Sequence, residues 1–286
     1  MNAVATGPQS PRPTAIRLLP DPGACETSAP DLHRYLSASR LKCWQSCRRQ
    51  FYFRYVERIA VPTAPALFIG RQIHEVLRQW NWAKWRQEPL IPEQLHAALL
   101  ESWGRDAAAE SVPWKKPDDE ATAKTQAWAM LQTYFDQCPI TPDERPEGVE
   151  VEVECSLGLG LPLLYGIIDL VRPPGRIVDY KSAARSPGED MAVHQHATQL
   201  ACYALLYRSA TGEMETGFEL HHLIKTKVPK VIISTYGAMT PAMESELFFL
   251  IDDYLEGIDR EAWVPSPGQH CSWCDHLDRC RKRSGM

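Results

Sequence analysis

No stretch of this 286-residue chain approaches the roughly 18 consecutive apolar residues that a membrane span needs. The first residues also lack the basic segment and apolar run of a secretory leader. A soluble, cytoplasmic protein is the expectation. There is no Gly-rich loop ending in Gly-Lys-Ser or Gly-Lys-Thr, so a nucleotide-driven motor would have to be another polypeptide. Excess positive charge is missing too: 31 Lys and Arg stand against 36 Asp and Glu, for a formal net charge of -5. The molecule as a whole is not a polycation toward nucleic acid, and any such contact must come from local patches.

What is present begins with a hydrophobic content of 44%, enough to bury a sizeable core in one domain. Nine cysteines are too many to ignore. In a reducing compartment they are not expected to pair as disulfides, so clustered ones are read as metal ligands or redox groups. Residues 1–30 carry Pro8, Pro11, Pro13, Pro20, Pro22 and Pro30 among small residues, the composition of a disordered lead-in. A single domain over 31–286 is expected to follow.

Its first part, 31–140, reads as helical: one helix from Leu36 through Arg54, capped by Ser37 or Ser39, then helices near 67–86, 93–109 and 120–137. The period then changes to two, with Val149, Val151 and Val153 alternating with Glu150, Glu152 and Glu154. Strands near 161–171 and 176–181 flank the turn Arg172-Pro173-Pro174-Gly175. A helix over 189–209, strands over 217–225 and 230–236 and a helix over 241–256 complete a catalytic part spanning 149–256. Residues 264–286 form a cysteine-bearing tail. The order predicts an α/β fold with a mixed central sheet flanked by helices.

Gly166-Ile167-Ile168-Asp169 is followed ten positions later by Asp179-Tyr180-Lys181. Alternation on a strand puts Asp179 and Lys181 on one face, and the hairpin can bring Asp169 beside them. Two carboxylates about 4 Å apart repel by about 4 kcal/mol at an effective dielectric of 20, so such a pair calls for a cation or a shared proton. Oxygen ligands favour Mg²⁺ or Mn²⁺, which would lower the pKa of a bound water and stabilise charge on a phosphodiester, while the lysine positions or deprotonates that water. The plainer reading places the acids around a surface turn and Lys181 on an edge strand. The apolar strands on either side weigh against it.

Gly-x-x-Asp, a hairpin, Asp-x-Lys and a helix bearing Gln199-Leu200-Ala201-Cys202-Tyr203 together resemble the RecB-like branch of the PD-(D/E)xK nucleases, whose fold is of the restriction-endonuclease-like type. The family's helical histidine is matched by Gly70-Arg71-Gln72-Ile73-His74. The resemblance implies that His74, Asp169, Asp179 and the Tyr180 carbonyl hold the metal, that Lys181 is catalytic, and that Gln199 and Tyr203 support the site or touch DNA. It covers about residues 36–281. The second acid is Asp179 rather than Glu, one methylene shorter. Of the preceding strand's acids, Glu152 or Glu154 is either a further ligand or a solvated partner for a lysine, the latter being favoured.

Cys271-Ser272-Trp273-Cys274 and Cys280 form a C-x2-C-x5-C trio that needs a fourth ligand, which Cys43 or Cys47 can supply. Resemblance to iron-sulfur members of the family, such as AddB-type repair nucleases and nucleases of CRISPR adaptation, selects Cys47 and implies a [4Fe-4S] cluster on Cys47, Cys271, Cys274 and Cys280. Zinc is the alternative, with His270 or His276 able to replace a thiolate. Either metal would staple the first helix to the tail.

Arg40, Lys42, Arg48, Arg49, Arg54 and Arg58 interleave with Trp44, Phe51, Tyr52, Phe53 and Tyr55. Lys225, Lys227 and Lys230 lie in the strand pair, and Arg279, Arg281, Lys282 and Arg283 near the C-terminus. These groups grip DNA phosphates and stack on bases, or else the aromatics face the core and the charges are solvated. Arg48, Arg49, Lys225 and Lys227 are the candidate contacts. The function expected is metal-dependent DNA hydrolysis, by resemblance exonucleolytic on single strands or free ends, in repair, recombination or defence. The rivals are a non-catalytic DNA-binding scaffold for a helicase or recombination partner, and a zinc-stapled enzyme acting on RNA.

Overall fold

The computed structural model describes residues 32–141 and 143–285, and these form one compact unit. The lead-in expected over 1–30 lies outside the described residues. A two-residue strand, β1 (Tyr35–Leu36), precedes α1 (Ala38–Ser46), α2 (Arg48–Phe51) and a π turn over Tyr52–Val56. Three long helices follow: α3 (Pro65–Arg86), α4 (Pro92–Ala109) and α5 (Asp119–Gln137). The mixed part comprises β2 (Gly148–Ser156), β3 (Leu163–Arg172), β4 (Arg176–Ala183), α6 (Glu189–Thr211), β5 (Gly217–Ile224), β6 (Lys230–Tyr236) and α7 (Pro241–Asp259). The tail carries a 3₁₀ turn, Gln269–Trp273, and α8 (Leu277–Arg283).

The strands make one sheet in the order β1-β3-β4-β5-β6, with β2 antiparallel to β3. β3 and β4 form the hairpin that the Pro-Pro-Gly turn announced, while α6 crosses over so that β5 runs parallel to β4. Such a sheet is apolar on both faces and needs a layer on each. On one side Leu41, Trp44, Phe51, Leu164, Ile177, Leu200 and Ile251 pack together. On the other, Phe68, Leu77, Leu99, Trp103, Tyr134 and Val178 do so.

The long helix expected from Leu36 through Arg54 is broken. Cys47 is extended (φ -167, ψ 111), closing α1 and opening α2. Apolar spacing gave no sign of this, because Trp44 and Phe51 bury themselves on both sides of the break against Tyr254 and Trp263. The same packing corrects one reading of the aromatics: Trp44, Phe51 and Phe53 are core residues and have no free face for a nucleic-acid base. α7 approaches so closely that a Cβ on Gly257 would overlap the Trp44 ring. Gly257→Ala is therefore expected to cost about 1–3 kcal/mol by overpacking, read as a lowered midpoint in urea denaturation.

Candidate active site

The β3–β4 ladder pairs Leu170 with Val178, Val171 with Ile177 and Arg172 with Arg176. Continued by one position it would set Asp169 opposite Asp179, but there the pairing changes character: the Asp169 carboxylate itself accepts the Tyr180 N–H at 2.9 Å. Asp179, 1% exposed, holds Lys181 in an ion pair, with Nζ 2.6 Å from Oδ2. Gln199 of α6 closes the arrangement. Its amide donates to Asp179 Oδ1 and to the Tyr203 hydroxyl, each at 2.9 Å, and its Oε1 accepts from Lys181 at 3.0 Å. Asp169, Asp179, Lys181, Gln199 and Tyr203 are thus gathered at one place.

His74 arrives from α3, which can approach β4 because Gly70, one turn earlier, has no side chain; a Cβ there would stand 3.2 Å from Ser182 Oγ. One ring nitrogen of His74 lies 3.1 Å from the Tyr180 carbonyl oxygen and the other 3.6 Å from Asp169 Oδ2. Two of its three expected companions, Asp169 and the Tyr180 carbonyl, are therefore adjacent to it, while Asp179 is turned to Lys181 and Gln199 instead.

Glu150 joins this group, whereas the sequence had pointed only to Glu152 or Glu154. Single ligand atoms of His74, Glu150 and Asp169 lie within 4.8 Å of one another. Glu150 has a left-handed backbone, φ 48, in the middle of β2. L-residues pay steric strain there, and such strain gathers at functional sites. The kink breaks the side-chain alternation on which the sequence reading relied. Glu152 and Glu154 are exposed, and Glu152 accepts the Tyr165 hydroxyl at 2.8 Å. A valine-glutamate repeat carries no trace of one residue leaving the β region.

Burial pushes the Glu150 carboxyl up to about 8, and the charge of Asp169 adds to the effect. Burial likewise raises Asp169, to about 6, with His74 opposing and Asp179 reinforcing the shift. Carboxylates crowded in this way hold protons unless a cation takes their place. Asp179 Oδ2 is buried and receives no aligned hydrogen bond, although it faces the Lys181 charge. The donor set of one imidazole, carboxylates and a nearby carbonyl suits a divalent cation of the Mg²⁺ or Mn²⁺ class.

Behind the site, Asn81 donates to the Tyr180 hydroxyl at 2.9 Å, and Tyr134 is 2.7 Å from His221, whose other nitrogen reaches Glu219 at 2.8 Å. These buried contacts orient β4 and β5 from the α3–α5 side.

A separate chamber of about 50 Å³ is lined by Cys47, Cys271, Cys274 and Cys280, together with Pro265, Pro267, His270 and His276. Cys43 is not among its lining residues, and burial pushes its thiol up to about 11. Two sulfurs accept backbone N–H groups, Cys47 from Ser266 and Cys271 from Gly268, both at 3.5 Å. The tail is also tied down without cysteine: Arg49 donates to the Trp263 carbonyl at 2.8 Å, and Arg283 lies over the Tyr52 ring.

Among the DNA-contact candidates, Arg48 is engaged with both oxygens of Asp253 at 2.7 Å and lies over the Trp44 ring. Arg49 is spent on Trp263. Lys225 and Lys227 are exposed where β5 turns into β6.

Residues 35–281 match the family model for the PD-(D/E)XK nuclease superfamily. No curated protein sequence matches the chain. Among solved structures, a protein from Eubacterium rectale assigned as an exonuclease is similar to it at a TM-score of 0.58, with 16% identity over 85% of this chain and 88% of the other. A second, SSO0001, aligns at a TM-score of 0.40 with 10% identity over 85% and 84%.

Proposed function

The chain belongs to the PD-(D/E)XK nuclease superfamily, and from that premise we propose that it is a metal-dependent DNA nuclease of the RecB-like branch, acting exonucleolytically on single strands or free ends. The observation that carries this reading is the convergence of His74, Glu150 and Asp169 within 4.8 Å beside the Asp179–Lys181–Gln199 set. His74, Glu150, Asp169 and the Tyr180 carbonyl would hold the ion, with Asp179 as a further candidate ligand. A bound divalent ion would supply a water of lowered pKa and positive charge for the scissile phosphate.

The protein's own groups do the rest. Gln199 fixes both Asp179 and Lys181, so the ammonium is held at a set point, where it can orient a nucleophilic water and offset the negative charge building on the phosphate. Tyr203, 7% exposed, anchors Gln199 in turn. Lys225 and Lys227, exposed just beyond the end of β5, supply phosphate contacts.

For the thiol chamber the proposal is a [4Fe-4S] cluster on Cys47, Cys271, Cys274 and Cys280. A zinc ion about 2.3 Å from each sulfur draws its ligands close together, whereas a cluster interposes irons and sulfides, and N–H groups aimed at the sulfurs suit it. The role assigned is stapling, in a reducing cytoplasm where these thiols stay free of disulfides. Any nucleotide-driven motor working with it, such as a helicase or recombination partner, would be a separate protein, because the sequence carries no phosphate loop.

Digestion of 5'-blocked and 3'-blocked, single- and double-stranded oligonucleotides with each divalent ion tests the reading. Cleavage should appear with Mg²⁺ or Mn²⁺, stop on EDTA addition, and show which end is attacked. Glu150→Gln should raise the metal concentration for half-maximal rate by about 10–100-fold. Protein that degrades no DNA with any ion, while folded, would remove the enzymatic reading and leave the scaffold role.

A further inference from the structure

On the flank of β4 opposite Asp169 lies a group of nitrogen donors that the proposed chemistry does not use. His222 of β5 stands directly across from Lys181 in the parallel ladder and is 3% exposed. Its Nδ1 and that of His196 are both buried without an aligned hydrogen-bond partner, the Leu220 backbone being the polar group beside the His222 ring. The two rings are 6.0 Å apart between centroids. His196 lies on α6, three residues before the Gln199 that holds Lys181.

Lys42 enters from α1. One turn further along, Gln45 accepts a hydrogen bond from Thr198 at 3.0 Å, which fixes α1 against the stretch of α6 that bears His196 and Gln199. Burial first, and then the Lys181 charge, lower the Lys42 amine below its usual range. Lys42 and Lys181 also act together on His196. The acid acting on all of these groups is Asp179, and it is already shared between Lys181 and Gln199.

A buried polar atom without a partner costs about 1–3 kcal/mol, so two imidazole nitrogens left in this way beside two ammonium groups describe a place for an anion with acceptor oxygens. We propose that Lys42, His196 and His222 form, alongside Lys181, a subsite for the DNA backbone phosphate next to the scissile one. The inference rests on the nuclease reading and deepens it. Each imidazole, in the tautomer protonated at Nδ1, donates to a non-bridging phosphate oxygen, and Lys42 supplies the charge. Held there, the strand is fixed in register, with its neighbouring phosphodiester presented to Asp169 and Asp179. These are positioning residues, so their effect falls on KM more than on kcat.

The test compares wild type with Lys42→Gln and His196→Gln on a single-stranded oligonucleotide, after equal melting temperatures are verified. The Lys42 side chain is exposed overall and His196 half-buried, so folding should survive in both, and His222→Gln is added as a buried third variant. KM should rise about tenfold in each, with a much smaller change in kcat. Lys42→Gln should also lower the slope of log KM against log salt by about one. A substrate carrying one uncharged methylphosphonate next to the cleaved linkage should weaken wild type and leave Lys42→Gln unaffected. Variants with KM and salt slope unchanged, or with a loss confined to kcat, would overturn the subsite while wild-type cleavage kept the nuclease reading. Wild type that neither cleaves nor binds the oligonucleotide would sink the reading beneath it instead.

Discussion

Lys181→Ala should lower DNA cleavage by about 10²–10⁴-fold in purified, folded protein, the span associated with removing a positioned acid-base group. The size of the effect follows from how tightly the ammonium is held. Its Nζ is 2.6 Å from Asp179 Oδ2 and 3.0 Å from Gln199 Oε1, and the Gln199 amide locks the opposite carboxylate oxygen. Shortening the side chain removes the amine that is bonded to both Asp179 and Gln199. Asp179→Asn should cause a loss of at least the same order, because it removes both a proposed metal ligand and the counter-ion of the lysine. Each variant leaves a buried group without its partner, so stability will also drop, and circular dichroism melting run in parallel separates that from catalysis. Full activity in either folded variant would refute the assignment of the site.

Cys47→Ala should abolish iron incorporation, taking the protein from about four irons per chain to none, with loss of absorbance near 400 nm. The thermodynamic effect is set by chain length. Cys47 and the tail cysteines are separated by about 220 residues, and an entropic cross-link of that length contributes up to about 5 kcal/mol. The contacts of Arg49 with Trp263 and of Arg283 with Tyr52 hold part of the tail in place regardless, so the measured loss should fall below that ceiling. Cys43→Ala is the control. That residue is buried outside the chamber, and its replacement should leave the iron content unchanged. Colourless wild-type protein with one zinc per chain would reject the cluster and keep the staple.

The acid-acid-lysine set was legible because strands carry their own geometry. A period of two tells which residues share a face, so Asp179 and Lys181 were placed correctly, and a helix period placed Gln199 beside Tyr203. The hairpin was legible from Pro173, Pro174 and Gly175, and helices α3 to α7 from their apolar spacing. Glu150 was not, since its role depends on one left-handed residue inside a strand. Nor was the break at Cys47, because the aromatic residues around it fit a continuous helix equally well. His222 was hidden for a third reason: its importance comes from the strand lying next to it, and parallel register across a crossover helix is not written in either segment.

Local pattern alone determined the element order, the mixed α/β class, the superfamily resemblance and the face shared by Asp179 and Lys181, because these follow from backbone periodicity and turn chemistry within a few residues. Only the tertiary structure decided that Glu150 rather than Glu152 meets His74, that Cys47 faces the tail, and that two histidines stand beside Lys181. Those outcomes depend on how distant segments pack, and packing is settled by the whole core at once rather than by any stretch of sequence within it.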